Sequence, residues 1–565
     1  MGVVAKNSTQ AELGSTLPID RMPGLGERST LPIERTPGLA EKRSLPIVHV
    51  ADPLAEDGLV LLRERCEVRV TQGLKEAELA PLLDDVDALI VRSETKVTAS
   101  LMDKAPRLAI IGRAGVGVDN IDLVAATERG VYVVNAPLGN IVAAAEHTIA
   151  LALALLRNIP EADRSVRAGE WKRAKLMGHE LRGKTLGLVG IGRVGSEVAR
   201  RAAAFEMKVI AHDPFATEAS ARAAGAQLVE LEELFARADV ISLHTPLTKE
   251  TNGLINATTL KKFKSTAVLV NASRGEIVDA QALADALTVG TIAGAALDVF
   301  AGEPLAADSP LRGAPHTVLT PHIAGSTTEA QVNVAVEVVK QVLDILDGKP
   351  ARNAVNAPRP PADEAGGSAW VRLAERLGSL AAQLLDERPG GIELHYSGQL
   401  LEIDPEPLRA AVVKGLLETF SEQRVNLVNA LAIARARGLD ISEDRQTEAS
   451  RYRALLTVQV GRTRVGGTLV QGDPRVVYID GFWVDVPVEG HLLLTKHQDK
   501  PGLVGRVGTL LGQHDVNISS MQVGRLHARG DALMILTLDD AVPDEVRARI
   551  GAFADVDRVR TAKLG

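Results

Sequence analysis

The sequence predicts an α/β protein of several units, with parallel sheets in its first part and α+β units after them. Its length of 565 residues exceeds what a single hydrophobic core accommodates, so we expect roughly three or four domains. Hydrophobic residues make up 45% of the chain and aromatic residues only 3%, which is typical of aliphatic parallel sheets covered by helices. Two series of short apolar runs separated by helical stretches predict the strands of those sheets.

Composition excludes several classes of function. The net charge of -8 is spread along the chain, so neither half predicts a surface for nucleic acid. The single cysteine, Cys66, cannot form an internal disulfide and is predicted to be a small buried thiol, which fits a reducing cytoplasm. No Cys/His cluster has zinc spacing, so no metal is expected. We also expect no export signal or membrane anchor, because Lys6 stands where N-myristoylation needs Ser or Thr.

The N-terminal 45 residues contain an imperfect repeat. STLPIDRMPGL at residues 15–25 returns as STLPIERTPGL at residues 29–39, and the fragment RSLPI follows at residues 43–47. Proline and glycine at these spacings oppose regular structure, and two copies are too few to stack into a solenoid. Residues 1–45 are therefore predicted to be a disordered extension, with a short linear interaction motif as the alternative.

Two α/β series follow the extension. The runs IVHVADPL, EVRVTQ, ALIVRSE, LAIIGRAG and VYVVNAP predict the strands of a first parallel sheet. The segment AAAEHTIALALALLR at residues 143–157 is apolar nearly all round yet too short to span a membrane, which predicts a buried interdomain or dimer helix. A second series runs from Lys184 to about Gly325. The helical tail to Gly348 then has only the first series to pack on, so the first domain is predicted to be discontinuous.

The remainder of the chain predicts a linker and two further units. Residues 357–368 are rich in Pro, Gly and polar residues, as expected of a linker. A helix-plus-strand region extends from there to about Val486. The last unit begins with a strand, a turn at Pro501-Gly502, an amphipathic helix at residues 504–513 and a second strand from Asn517, which is a β-α-β start.

The second series opens with a glycine pattern that predicts a dinucleotide site. The strand at residues 185–189 runs into Gly190-x-Gly192-x-x-Gly195 and then into a helix, the context in which such glycines let backbone approach a pyrophosphate. Asp213 ends the next strand, about 20 residues further on, where a carboxylate holds the ribose hydroxyls. No Arg or Lys directly follows it to receive a 2′-phosphate, so NAD is favoured over NADP. For the glycine pattern taken alone, a tight turn is the alternative.

Three later strands end in residues suited to acid–base chemistry. Arg274 follows a strand on a turn made by Gly275, Glu303 precedes Pro304, and His322 stands in TPHIAGS after another strand. Each alone has a plainer interpretation: a surface ion pair, a loop acid or a structural histidine. Because the carboxyl ends of parallel strands meet at one edge of the sheet, we expect the three beside the nucleotide. There the histidine would take a hydroxyl proton, the glutamate would hold its tautomer, and the arginine would bind a carboxylate.

Residues 46–353 resemble the D-2-hydroxyacid dehydrogenase family. The motifs that carry the resemblance are VRSETKVT, GRAGVGVDNID, NAPLGN, AAEHTIAL, GKTLGLVGIGRVG, HTPLTKET, NASRGEIVD, AALDVFAGEP and TPHIAGST. Their order is most similar to the branch that oxidises D-3-phosphoglycerate. The resemblance implies a discontinuous flavodoxin-like substrate-binding domain at residues 46–146 and 325–353, and a Rossmann NAD-binding domain at residues 147–324.

The resemblance also implies roles for individual residues. The catalytic set is Arg274, Glu303 and His322. The implied contacts to NAD are Val116, Gly190, Gly192, Arg193, Val194, Gly195, Asp213, Thr245, Ala272, Ser273, Asp298 and Gly325, with Asp298 near the nicotinamide carboxamide. The implied substrate contacts are Arg92 and Ser93 at the phosphate end, Gly117 near the carboxylate, and Arg173 reaching across a dimer. For Arg92 an ordinary salt bridge is the alternative.

Residues 490–565 resemble a βαββαβ ACT regulatory domain. Effector contacts in serine-regulated members come from positions matching His497, Asp499 and Asn517, and Asp499 stands where some members have asparagine, which puts a response to L-serine in doubt. Residues 369–486, after a linker at 354–368, are similar to the α+β intervening domain of the long-form enzymes. Its Arg435, Arg437, Arg451 and Arg462 are candidates for a phosphorylated or carboxylate effector, with a solvated helix face as the alternative.

The resemblance implies NAD-dependent oxidation of D-3-phosphoglycerate to 3-phosphohydroxypyruvate, the first step of phosphorylated serine biosynthesis. The expected small-molecule partners are D-3-phosphoglycerate as substrate and L-serine as an effector. The chain is expected to form a homodimer or a homotetramer. No nucleic acid and no membrane is expected as a partner. Two alternatives stay open. One is the same chemistry on another acid, such as lactate, glycerate or the reduction of 2-oxoglutarate. The other is a nucleotide-sensing binding protein, which the regulatory C-terminus disfavours.

Overall fold

The computed structural model of the chain describes residues 45–361, 366–386, 390–447 and 451–565. Apart from Leu45, the predicted N-terminal extension and its repeat lie outside the described residues. The described chain forms four sheets with helices packed on them. The predicted fold class, two parallel α/β units followed by an α+β unit and a βαββαβ unit, is confirmed.

The first unit is a five-stranded parallel sheet in the order β2-β1-β3-β4-β5. Its elements are β1 (Ile47–Val50), α1 (Glu56–Arg63), β2 (Glu67–Val70), α2 (Glu76–Leu79), β3 (Ala88–Val91), α3 (Ala99–Asp103), β4 (Ile110–Arg113), α4 (Leu123–Glu128) and β5 (Tyr132–Asn135). Strands β1 and β3 are buried throughout, which explains why they read as continuous apolar runs. Cys66 is buried as predicted, and burial raises the pKa of its thiol to about 11.

Two helices lead to the second unit: α5 (Ile141–Leu156) and α6 (Ile159–Arg167). Among the described residues no single helix is long and apolar enough to cross a membrane. Helices α5 and α6 together have a sufficient length and composition, but they are bent by 60° at the break between them. Helix α5 buries its apolar face in the core of the second unit. It is the helix that the sequence predicts at residues 143–157.

The second unit is a seven-stranded parallel sheet. Its elements are β6 (Thr185–Val189), α7 (Arg193–Ala204), β7 (Lys208–His212), α8 (Glu218–Ala223), β8 (Gln227–Leu228), α9 (Leu231–Arg237), β9 (Val240–Leu243), α10 (Ala257–Leu260), β10 (Val268–Asn271), α11 (Ala280–Thr288), β11 (Gly294–Leu297) and β12 (Thr317–Leu319). The order β12-β11-β10-β9-β6-β7-β8 reverses direction between β6 and β9. This reversal opens a crevice at the carboxyl ends of the strands, where ligands of such sheets bind.

The chain then returns to the first sheet through α12 (Thr328–Leu346). Val334, Val338 and Val342 of this helix are buried in the same core as β1, β3 and β4. Gly112 on β4 makes the approach possible, because a Cβ there would lie 2.9 Å from a methyl of Val342. The predicted domain boundaries stay predictions. The boundary between residues 146 and 147 falls inside α5.

The third and fourth units follow the linker. The third contains α13 (Gly367–Gln383), β13 (Gly391–Gly398), α14 (Pro405–Glu418), α15 (Ala430–Ala436), β14 (Asp440–Gln446), β15 (Ala454–Val460), β16 (Thr463–Val470), β17 (Asp473–Ile479) and β18 (Phe482–Pro487). The fourth contains β19 (Gly490–Gln498), α16 (Leu503–Gln513), β20 (Ile518–Arg525), β21 (Asp531–Leu538), α17 (Asp544–Gly551) and β22 (Val556–Leu564). Their sheets run β14-β13-β15-β16-β17-β18 and β20-β21-β19-β22, and the fourth is antiparallel throughout.

Helices α13 and α14 cross at two glycines. A Cβ on Gly378 would lie 2.0 Å from the carbonyl oxygen of Val412, and a Cβ on Gly415 would lie 2.0 Å from that of Glu375. Both contacts are with backbone, which cannot move aside without separating the helices. The third unit therefore depends on two positions that carry no side chain.

Gly378→Ala should lower the stability of the third unit by about 1–3 kcal/mol or more, because the added methyl forces the helices apart. The measurement is the thermal midpoint of the full-length protein. The matched control is Gly508→Ala in α16, where an added Cβ meets nothing within 4 Å. That control should be neutral or stabilising, since alanine favours helix. Equal effects of the two substitutions would contradict the packing argument.

Candidate active site

Arg274, Glu303 and His322 emerge from one edge of the second sheet, as predicted. Strands β10, β11 and β12 are parallel neighbours, and the three residues follow their carboxyl ends. Nδ1 of His322 lies 2.7 Å from Oε2 of Glu303, while Oε1 of Glu303 accepts a hydrogen bond from the Phe300 amide at 3.0 Å. A carboxylate at Nδ1 keeps the proton on that nitrogen, so Nε2 is left to accept a proton. The imidazole is half exposed and therefore accessible to a ligand.

The turn that carries Arg274 is built by Asn271 and Gly275. The buried amide of Asn271 donates to the Arg274 carbonyl at 2.8 Å and accepts from the Ser273 amide at 3.0 Å. A Cβ on Gly275 would lie 1.9 Å from the carbonyl carbon of Phe300. Only glycine therefore allows this turn to lie against the turn leading to Glu303. The guanidinium of Arg274 donates to the Ser273 carbonyl and pairs with Asp119 of the first unit at 3.2 Å.

Asp298 holds the loop of His322 in place. Its carboxylate is fully buried and accepts hydrogen bonds from the Thr320 hydroxyl at 2.5 Å and from the amides of Ile323 and Ala324 at 2.9 and 2.8 Å. His147 Nε2 lies 3.2 Å from the same carboxylate. Burial alone would raise the pKa of Asp298, but these hydrogen bonds outweigh it and lower the pKa. Asp298 is thus seen as a positioning residue, and its contact with a nicotinamide carboxamide stays a prediction.

Three guanidinium groups face one another where the two units meet. Arg92 directly follows β3, and Arg113 is the last residue of β4. Arg274 reaches towards them from the second sheet. Burial first, and then the nearby charges of Arg274 and Arg92, lower the pKa of Arg113 to about 10. Nε of Arg113 is buried without a hydrogen-bond partner among the described residues. Such a cluster of cations with an unsatisfied donor is suited to an anion.

Arg113 is the residue that the sequence interpretation missed. It ends a strand in GRAGVG just as Arg92 follows one in VRSE, so the same strand-end argument could have found it. Gly115 leaves room for its side chain, since a Cβ there would lie 1.4 Å from Nη1 of Arg113. Gly117 does the same for Arg274, whose Nη2 would be 2.3 Å from a Cβ. The predicted Ser93 is exposed at this site.

The predicted cofactor residues form an open cradle at the crevice. Gly190 has φ of 95°, and a Cβ there would lie 2.6 Å from the His244 carbonyl oxygen, so the loop requires glycine. A Cβ on Gly192 would meet nothing within 4 Å, which marks free space above the loop. Oδ2 of Asp213 accepts from the Ile191 amide at 3.0 Å and so sits beside that loop. Thr245 Oγ1 is buried without a partner among the described residues. These features fit a dinucleotide.

The remaining predicted cofactor residues surround the same crevice. Arg193 and Val194 begin α7, and Gly195 lets that helix approach the loop, because a Cβ there would lie 2.4 Å from the Gly190 carbonyl oxygen. Ala272 and Ser273 lie on the Arg274 turn. The Gly325 carbonyl accepts from Gln331 at 2.8 Å, and the Val116 carbonyl accepts from Asn135. Their contacts with a cofactor stay predictions.

Residues predicted for other partners lie elsewhere. Arg173 is exposed on a short 3₁₀ turn, so its reach across a dimer stays a prediction. In the fourth unit His497 is buried, and its Nδ1 lies 3.0 Å from the Thr495 carbonyl oxygen. Asp499 accepts from the Arg529 amide at 3.1 Å and pairs with Arg525 at 3.2 Å, contacts that lower its pKa. Asn517 donates to Asp539 at 2.6 Å. The effector site formed by these residues stays a prediction.

Three family models match the chain. Residues 149–324 match the "D-isomer specific 2-hydroxyacid dehydrogenase, NAD binding domain", residues 368–480 the "D-3-phosphoglycerate dehydrogenase intervening domain", and residues 491–555 the "ACT domain". These spans correspond to the second, third and fourth units described above. The order of the three matches follows the order of the units along the chain.

Curated relatives match over nearly the whole chain. A D-3-phosphoglycerate dehydrogenase of Synechocystis is 45% identical over 92% of this chain and 94% of its own length. The proteins of the same name from Archaeoglobus fulgidus and Bacillus subtilis are 44% and 42% identical over 88% and 92% of this chain, and over 96% and 99% of their own lengths. Among solved structures, the TT0316 protein of Thermus thermophilus is 40% identical with a TM-score of 0.51, covering 55% of this chain and 99% of that one.

Asp298→Asn should destabilise the second unit by about 1–3 kcal/mol at neutral pH, because buried donors lose a charged acceptor. The folded pKa of Asp298 is lowered, so its contribution is complete above the unfolded value of about 4 and is lost as the pH falls through the folded value. The difference in thermal midpoint from the unsubstituted protein should therefore be widest near pH 7 and shrink below about pH 4. Asp308→Asn, at an exposed carboxylate ten residues further along the chain, is the control. A difference that does not change with pH would contradict this account.

Proposed function

Because this chain belongs to the D-3-phosphoglycerate dehydrogenase family, we propose that Arg274, Glu303 and His322 carry out its oxidation of D-3-phosphoglycerate. The protein is an NAD-dependent oxidoreductase that acts on a CH–OH group and produces 3-phosphohydroxypyruvate, the first step of phosphorylated L-serine biosynthesis. The observation that carries the assignment of the site is the 2.7 Å contact between His322 and Glu303 at the edge of the cofactor cradle.

The chemistry that bound NAD would supply in the cradle is a two-electron acceptor for the hydride of the substrate's C2. Asp213 would hold the adenosine ribose hydroxyls, and its negative charge would repel a 2′-phosphate. The Gly190–Gly195 loop and the amino end of α7 would face the pyrophosphate. The buried Thr245 hydroxyl, which lacks a partner among the described residues, would gain one from the bound nucleotide.

His322 would remove the proton from the C2 hydroxyl through Nε2. The O–H electron pair then forms the carbonyl while the C2–H pair departs as hydride, so the alcohol loses two electrons and two hydrogens. Glu303 lies at Nδ1 and stabilises the imidazolium that forms, which favours proton removal. Arg274 would hold the substrate carboxylate and stabilise negative charge on the developing carbonyl oxygen. To do so it must exchange its present partner, Asp119, for the substrate.

The two anionic ends of the substrate explain why the cations are divided between two units. Arg274 comes from the second unit, while Arg92 and Arg113 come from the first. We assign the phosphate to Arg92, Ser93 and Arg113, because planar guanidinium groups bind phosphate oxygens in pairs. A substrate with a charge at each end would then bridge the cleft. This arrangement favours a phosphorylated acid over lactate, which has a single anionic group.

The ACT unit supports the proposal that an amino-acid effector regulates the enzyme, and L-serine is the first candidate. A homodimer or homotetramer, with Arg173 contributed across the interface, is proposed on the same resemblance. A cytoplasmic location is likewise a proposal, consistent with a single buried thiol. Adding L-serine to the assay below tests the first of these points directly.

His322→Ala should lower kcat by about 10²- to 10⁴-fold, the usual contribution of a positioned general base. The measurement is NADH formation by the full-length protein with D-3-phosphoglycerate and NAD. Binding of NAD, measured separately by fluorescence, should be nearly unchanged. His527→Ala, which removes an exposed histidine far along the chain, should keep full activity. The role assigned to His322 would be wrong if NAD affinity fell as much as the rate. Tight NAD binding without turnover in the unsubstituted protein would favour a nucleotide-sensing role.

Arg113→Gln should raise the KM for D-3-phosphoglycerate at least about tenfold, since charged hydrogen bonds to the phosphate are lost. NAD affinity should stay within about twofold of its original value, because the residue lies outside the cradle. Arg113→Lys keeps the charge and should recover part of the loss. Arg129→Gln, which breaks a surface pair with Asp103, is the control. An unchanged KM in Arg113→Gln would remove Arg113 from the substrate site.

A further inference from the structure

The described part of the first unit contains two buried carboxylates, Asp52 and Asp87, at opposite edges of its sheet. Asp87 lies just before β3 and accepts a hydrogen bond from the Ile47 amide at 2.9 Å, at the amino edge. Asp52 follows β1 and lies at the carboxyl edge, on the same side as Arg92 and Arg113. Burying a carboxylate is costly unless hydrogen bonds compensate, so the partners of Asp52 indicate its role.

Asp52 accepts three hydrogen bonds from the loop at residues 92–95, which we name the phosphate loop because it carries Arg92 and Ser93. Oδ2 of Asp52 accepts from the Arg92 amide at 2.6 Å and from the Thr95 amide at 3.2 Å. Oδ1 accepts from the Thr95 hydroxyl at 2.6 Å. The Arg92 guanidinium donates to the carbonyl of Pro53 at 3.5 Å. The carboxylate therefore binds both ends of the phosphate loop.

Asn120 holds the same loop through its carbonyl groups. The side-chain amide of Asn120 donates to the Arg92 carbonyl at 2.7 Å and to the Thr95 carbonyl at 2.6 Å. Asp52 accepts from the backbone amides of these same two residues, so each end of the loop is fixed through one donor and one acceptor. Ser93 lies between the two ends and is exposed. The arrangement fixes the backbone of the phosphate loop and leaves Ser93 accessible to a ligand.

The charge of Asp52 also acts on the neighbouring cations. Burial and the charges of Arg274 and Arg92 lower the pKa of Arg113, and the charges of Asp119 and Asp52 oppose this lowering. Asp119 pairs with Arg274 at 3.2 Å. Asp52 instead bonds to the phosphate loop, so its charge reaches the cluster from beneath that loop. The carboxylate is thus connected to the phosphate-binding cations both through hydrogen bonds and through charge.

We propose that Asp52 is a positioning residue for recognition of the substrate phosphate, which it serves by fixing the phosphate loop. This inference rests on the assignment of the phosphate to Arg92, Ser93 and Arg113 made above. Only 1% of Asp52 is exposed, so the residue acts through the loop and does not itself contact the substrate. Donors that are already ordered bind an anion more tightly, because less conformational freedom is lost on binding.

The test compares a ligand that carries the phosphate with one that lacks it. Asp52→Asn keeps the size of the side chain but places an NH₂ group, a donor, where one oxygen accepted hydrogen bonds. The KM for D-3-phosphoglycerate should rise at least about tenfold, because charge-assisted hydrogen bonds that order the loop are lost. The kcat should change little, since the chemical step is not touched. The inhibition constant of D-glycerate, which has no phosphate, should stay within about twofold. Initial rates of NADH formation by the full-length protein at saturating NAD give all three quantities.

Asp87→Asn is the matched control, because it removes the other buried charge of the unit at the opposite edge of the sheet. Asp87→Asn should lower the thermal midpoint, as Asp52→Asn does, but it should leave the ratio of the two constants unchanged. The same loss of preference for the phosphorylated ligand in both variants would overturn the proposal. A lower KM in Asp52→Asn would also overturn it, because the buried charge would then be repelling the phosphate.

Thr95→Ala and Thr95→Ser form a second pair, which decides the question if Asp52→Asn does not fold. Thr95→Ala removes the hydroxyl that donates to Asp52 and should raise the KM for D-3-phosphoglycerate but not the D-glycerate constant. Thr95→Ser keeps that hydroxyl and should restore most of the loss. Equal constants in the two variants would overturn the proposal. In the Asp52→Asn, Thr95→Ala double variant the effects should be less than additive, because both substitutions break one contact.

The unsubstituted protein, assayed in parallel, separates this inference from the proposed reaction. Absence of its turnover with D-3-phosphoglycerate would contradict the reaction itself. Normal turnover of the unsubstituted protein, with no preferential change for the phosphorylated ligand in Asp52→Asn, would contradict the role of Asp52 alone.

Discussion

The active site depends on one buried carboxylate. Asp298 ends up beneath the loop after β12, and its two oxygens receive the Thr320 hydroxyl and the amides of Ile323 and Ala324. Those bonds fix the loop that carries His322, so that its imidazole lies beside Glu303. The Phe300 amide in turn fixes the Glu303 carboxylate. Without a charged acceptor at Asp298, the Thr320 hydroxyl and the amides of Ile323 and Ala324 would lose their shared hydrogen-bond partner, and the imidazole would lose its orientation. The chemistry of an exposed histidine therefore rests on a residue with no exposed surface.

Close approach of backbone is the second requirement of the site. Gly275 lets the Arg274 turn touch the Phe300 turn, and Gly117 lets the Arg274 guanidinium enter the first unit. A side chain at Gly275 would clash with the Phe300 backbone, and one at Gly117 would clash with the Arg274 guanidinium. The cation cluster of Arg92, Arg113 and Arg274 is costly in the absence of ligand, as the lowered pKa of Arg113 indicates. Asp119 offsets part of that cost by pairing with Arg274.

The third unit contacts the first unit at a surface away from the active-site cleft. Asn426 and Arg424 meet the amino ends of β4 and β5, whereas Arg113 stands at the carboxyl end of β4. The proposed amino-acid effector site lies in the ACT unit, at the far end of the chain.

Local patterns in the sequence determined the units, the glycine loop and the gathering of Arg274, Glu303 and His322 at one sheet edge, because a pyrophosphate loop and the edge of a parallel sheet need particular residues at short spacing or at strand ends. Arg113 could have been included by the same argument. The role of Asp298 beneath the His322 loop was not predictable, since it follows from burial and from four partners that no spacing indicates. Only the tertiary structure decided the contacts between units, such as that of Asn426 with Gly130 across 296 residues. Sequence spacing constrains neighbours on one helix or strand, because backbone geometry repeats over a few residues, whereas docking depends on the shapes and charges that folding has already assembled.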